Sequence, residues 1–85
     1  MANGNTETVA FSSKSLKEEI IKDILSTTKT ALEERGYNYV NQITGYLMSN
    51  DPAYISSHKN ARSIIQSVER YEIIEELVKS YIEKL

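Results

Sequence analysis

Cysteine and tryptophan are absent from this 85-residue sequence, and proline, histidine and phenylalanine occur once each. Without cysteine no disulfide can reinforce a small core, and a single histidine, His58, cannot build a His/Cys metal cluster. No run approaches the roughly 18 apolar residues that a membrane-spanning helix needs. The segment Met1 to Thr8 lacks both the basic start and the apolar centre of a secretory signal. These absences predict a cytoplasmic protein with no membrane insertion and no cofactor. A net charge of −2 gives no overall attraction for nucleic acid or an anionic membrane. A chain of this length is one domain that buries only about 60–65% of its unfolded surface. Oligomerisation is the reinforcement left to it.

What is present is mostly amphipathic helix. Residues 1–13 are small and polar apart from Val9, Ala10 and Phe11, and read as a flexible N-terminal arm that carries Thr6 and Thr8. Residues 14–85 read as a helical dimerisation and regulatory domain. The first helix is expected near Ser15, where Ser15-Leu16-Lys17-Glu18 fits a capping box, and Gly36 supplies its left-handed end. Leu16, Ile20, Ile21, Ile24, Leu25, Ala31 and Leu32 cover half of its circumference, which requires at least two neighbours.

Asn38 can cap a second helix with Val40, Ile43 and Leu47 inward. Asp51-Pro52 marks a fresh start and a single turn over 52–55. A third helix is expected over 59–70 and a fourth over 71–84, with no Gly or Pro between them to fix the boundary. The expected fold class is all-α, a compact homodimeric bundle of about four to five short helices. In the last helix Ile74, Leu77, Val78, Tyr81 and Ile82 lie on an apolar half that exceeds what one small core buries. That excess is read as the dimer interface.

Catalytic constellations are missing. There is no glycine-rich phosphate loop, no HExxH and no cysteine nucleophile. The adjacent carboxylates Glu33-Glu34 and Glu75-Glu76 diverge by about 100° on a helix and converge on nothing. The expectation is a protein that is not an enzyme. His58, Arg62 and Gln66 recur at four-residue spacing along one ridge of the third helix, with Lys59 and Arg70 beside it. Such a ridge suits a phosphate or an acidic partner surface, and it equally suits a solvated face with ordinary ion pairs. Thr6 and Thr8 are accessible hydroxyls of the kind a kinase modifies, although threonines in tails are mostly idle.

The densest run of turn residues and tyrosines is 36–55. The chain holds Gly36-Tyr37-Asn38, Asn41-Gln42-Ile43, Gly45-Tyr46-Leu47, Asp51-Pro52-Ala53-Tyr54-Ile55, His58, Ala61-Arg62, Glu69-Arg70 and Glu75-Glu76-Leu77-Val78-Lys79-Ser80. At these spacings it resembles the IreB/ReoM family of small bacterial regulatory phosphoproteins. The resemblance implies an all-helical homodimer, phosphorylated on an N-terminal threonine by a membrane serine/threonine kinase with PASTA repeats and dephosphorylated by its phosphatase. Thr8, just before Val9-Ala10-Phe11, is the first choice of site and Thr6 the second. It further implies a phospho-switch adaptor that controls peptidoglycan precursor synthesis through Clp-dependent turnover of an early enzyme, by way of a regulatory or protease-related partner. The partner-binding candidates are His58, Lys59, Arg62, Gln66 and Arg70. Ser57 and Gln66 stand where the family has Arg, Tyr71 where it has Asp, Tyr39 where it has Pro and Asn50 where it has Gly. The competing reading is a helix-turn-helix DNA-binding dimer, disfavoured because 38–48 contains no Lys or Arg.

Overall fold

A computed structural model describes residues 13–85. Four helices follow in order: α1 (Ser13–Glu34), α2 (Tyr39–Ser49), α3 (Ala61–Ile65) and α4 (Arg70–Glu83). Single 3₁₀ turns at Pro52–Tyr54 and His58–Asn60 lie between α2 and α3. Among the described residues there is no strand, so the all-α expectation holds. Thr6, Thr8 and the rest of the arm fall outside the described residues.

The axis of the fold is α1, against which α2, α3, α4 and the His58 turn all pack. It does not begin with the expected capping box, because Ser13 is already helical and Ser15 is its third residue. Its other end is as expected. Gly36 sits at φ +75, and the N–H groups of Gly36 and Tyr37 return to the carbonyls of Glu33 and Leu32, each at 3.0 Å. Those two bonds satisfy carbonyls that the helix end would otherwise leave unpaired.

The core gathers Ile21, Ala31 and Leu32 of α1, Tyr46 of α2, Ile55, Ala61 and Ile65 of α3, and Ile73 of α4. Thr28 is fully buried among them, and its hydroxyl has no hydrogen-bond partner among the described residues. Ile43 and Leu47 pack against this core as expected. Val40 does not: it is 58% exposed, and Tyr46 takes the inward place instead.

Asn38 caps α2 by accepting from the Asn41 N–H at 3.1 Å, and Asp51 accepts from the Ala53 N–H at 3.0 Å to start the Pro52 turn. The expected third helix is much shortened. Its first residues form the 3₁₀ turn His58–Asn60, in which Lys59 (φ 49) and Asn60 (φ 64) are both left-handed. Its last residues unwind after Ile65, where the N–H and the hydroxyl of Ser67 both return to the Ile64 carbonyl, at 3.1 and 2.6 Å. A serine hydroxyl competing for that carbonyl separates α3 from α4 without Gly or Pro.

Candidate functional site

Between α2 and α3 the chain is tied down by polar side chains. The Ser56 N–H donates to Gln42 Oε1 at 3.1 Å, and the His58 N–H donates to Ser56 Oγ at 3.1 Å. Arg62 reaches back from α3, and its Nε donates to the Ile55 carbonyl at 2.8 Å. From the start of α4, Arg70 Nη1 donates to the Leu47 carbonyl near the end of α2 at 2.6 Å. Bonds from a charged donor are the stronger kind, so each half-buried arginine pins a loop as well as carrying charge.

The left-handed pair Lys59-Asn60 brings His58 and Lys59 to the C-terminal turn of α1. His58 Nε2 lies 3.0 Å from Glu34 Oε1, and Lys59 Nζ lies 3.1 Å from the same oxygen. Arg35 Nη1 approaches the other ring nitrogen, His58 Nδ1, at 3.5 Å. The bonds from His58 and then Lys59 hold the Glu34 carboxyl below its ordinary range. The Lys59 ammonium here also faces the negative end of the α1 dipole, which favours the arrangement.

The structure therefore breaks up the helical ridge expected from four-residue spacing. His58 and Lys59 lie in the 3₁₀ turn, Arg62 in α3, Gln66 beyond its end, and Arg70 at the start of α4. His58 and Lys59 meet on Glu34, whereas Arg62 and Arg70 address two different carbonyls. The opposite end of the molecule has its own pairs. Lys17 bridges to Glu72 at 3.0 Å, and Lys79 pairs with Glu18. The hydrogen bond between Lys17 and Glu72 raises the lysine and lowers the carboxyl from their ordinary values.

Apolar surface concentrates on α4, where only Ile73 is buried. Ile74 and Leu77 are exposed, and Val78, Tyr81 and Ile82 stand at 55%, 67% and 56% exposure. The excess expected from the sequence is on the surface of the chain. A groove of about 480 Å³ adjoins it, lined by Leu25, Tyr39, Val40, Ile43, Leu47 and Leu77. Among the described residues no helix is long and apolar enough to cross a membrane.

The family model described as IreB regulatory phosphoprotein matches residues 6–83. The chain belongs to the IreB family. The match takes in the whole bundle from α1 through α4, together with Thr6 and Thr8. The IreB family is one of regulatory phosphoproteins, so the chemistry to look for is phosphate on a side chain and a surface that responds to it. Around the His58 turn, sequence reasoning missed Glu34, which takes both ion pairs, and Arg35, whose Nη1 approaches the His58 ring. Their partners are set by two left-handed residues that no periodicity announces.

Proposed function

We propose that this protein is a non-enzymatic phospho-switch adaptor of the IreB family, acting in the cytoplasm as a homodimer. The observation that carries this reading is the family match over residues 6–83. Thr8 is the principal phosphorylation site and Thr6 the second. The modifying enzyme is a PASTA-type serine/threonine kinase, opposed by its phosphatase. The output is control of peptidoglycan precursor synthesis, through Clp-dependent turnover of an early pathway enzyme. Exposed Ile74, Leu77, Val78, Tyr81 and Ile82 support pairing through α4, since covering the apolar area they still present gains about 25 cal/mol per Å². A chain that stays monomeric by sedimentation equilibrium at tens of micromolar (an order-of-magnitude choice suited to weak dimers) removes the pairing.

Reach decides which cations the phosphate meets within one chain. Thr8 lies five residues before Ser13, an extended span of about 17 Å, whereas Glu34 lies about 31 Å further along α1. His58 and Lys59, which hold Glu34, are therefore beyond the arm of their own chain. Arg70 is nearer, because Lys17 in the first turns of α1 bridges to Glu72, two residues past Arg70. Phosphate at Thr8 acts at the Arg70 end, and His58, Lys59, Arg62 and Gln66 serve the protein partner.

The test is capture of partners by phosphorylated and unphosphorylated protein, compared by mass spectrometry, alongside Thr8→Ala. Thr8→Ala is expected to keep the helical fold and to lose kinase-dependent partner exchange. Normal kinase response in Thr8→Ala would overturn the assignment of Thr8.

A further inference from the structure

Of the four described helices, α2 alone carries no charged side chain. The uncharged run extends over 36–50, in a sequence that is 26% charged. A surface helix ordinarily turns charged residues outward. Here the outward row is Val40, Thr44 and Met48, at four-residue spacing. Val40 is 58% exposed and Met48 81%. Depletion of charge together with exposed apolar side chains is the mark of an interface centre, not of a solvated face.

The same helix forms one wall of the groove described above, and Leu77 of α4 lines that groove too. Leu77 also begins the strip that continues over Val78, Tyr81 and Ile82. The groove and the end of α4 are therefore neighbours on one continuous apolar surface. The pairs Lys17–Glu72 and Lys79–Glu18 tie the other flank of α4 to α1, and the strip stays exposed.

Pairing through α4 alone makes too small an interface. Ile74, Leu77, Val78, Tyr81 and Ile82 are on average about half exposed. At about 200 Å² for a large side chain they offer on the order of 500 Å², against the roughly 800 Å² per partner of a stable complex. The uncharged wall of α2 can supply the rest. A twofold pair sets one surface against itself, so that residue i meets j and j meets i. With the axis beside Leu77, the strip of each α4 falls on the groove of the other chain. The edges carry opposite charge. Lys29 lines the groove, and Glu75, three residues before Val78, borders the strip; neither makes a salt bridge among the described residues.

We infer that a second copy of this chain seats Tyr81 and Ile82 of its α4 in the groove between α1 and α2, and receives the same helix end in return. This rests on the reading that pairs two chains through α4, and it adds the surface that receives the helix.

The experiment joins isotope-filtered NOE spectroscopy, on a mixture of labelled and unlabelled full chain, with sedimentation equilibrium. Cross-peaks are expected between chains, from the Tyr81 ring of one to the Val40 and Leu47 methyls of the other. Thr44→Arg puts a charge on the exposed wall of the groove. It is expected to raise the dimer Kd at least about tenfold, with far-UV circular dichroism unchanged. Ser63→Arg adds the same charge on the exposed side of α3 and should leave Kd within about twofold. Cross-peaks confined to α4 against α4, or a Kd unmoved by Thr44→Arg, overturn the seat while the pairing stands. Equal weakening by both variants also overturns it, because added charge and not the groove is then responsible. A native chain that is monomeric at tens of micromolar removes pairing and seat together.

Discussion

Replacing Ile65 with alanine is expected to remove about 3 kcal/mol of stability, within the range of about 2–5 for emptying a buried isoleucine site. Ile65 is fully buried, at the end of the five-residue α3. Five residues cannot hold a helix by their own hydrogen bonds, so α3 exists because Ala61 and Ile65 are clamped against α1. The cavity would therefore open under the element least able to repair it. A domain of this length commands about 4–13 kcal/mol in total, so the loss is a large share of the whole. Urea unfolding should show a lower midpoint with an unchanged slope, and the exposed neighbour Ser63→Ala should move it by less than about 0.5 kcal/mol. A loss below about 1 kcal/mol for Ile65→Ala, outside the buried-site range, would mean that α3 is not packed on α1 as described.

Gly45→Ala is expected to destabilise even though it improves helix propensity. Gly45 lies inside α2, where alanine alone would gain about 1 kcal/mol. A Cβ there would stand 2.4 Å from Cδ1 and 3.1 Å from Cγ of Tyr54. Cγ is the root of the ring, so rotating the ring's edge does not clear the contact. Tyr54 also closes the 3₁₀ turn that Asp51 caps, so the displacement passes to the loop beneath Arg62. Overpacking of this kind costs about 1–3 kcal/mol, which outweighs the propensity gain. The decisive comparison is made in a Tyr54→Ala background. There Gly45→Ala should stabilise by up to about 1 kcal/mol, because only propensity remains. Destabilisation in both backgrounds would show that the tyrosine ring is not what requires glycine.

Local chemistry made the helix ends legible in the sequence. Gly36, Asn38 and Asp51-Pro52 act through atoms within a few residues, and each does what its type prescribes. The apolar half of α4 was equally legible, because periodicity alone locates it. Tertiary competition hid the rest. Thr28 is polar and interrupts the apolar stripe of α1, yet it is fully buried on the same face as Leu25 and Leu32. The continuous helix expected over 59–70 required ordinary backbone angles at Lys59 and Asn60. Their left-handed geometry goes with contacts to Glu34, which is 25 residues away from Lys59. The basic ridge failed for that reason: four-residue spacing defines a face only where the helix is continuous.

The outer half of α4 has a consequence for how the molecule breathes. Past Ser80 its side chains are exposed and the helix is held by its own backbone bonds. A free end of that kind frays, and its amides exchange with solvent at almost no free-energy cost. Whatever covers Val78 and Tyr81 would slow that exchange residue by residue toward Glu83. The length over which α4 is protected from deuterium is thus a gauge of how much of this surface is covered.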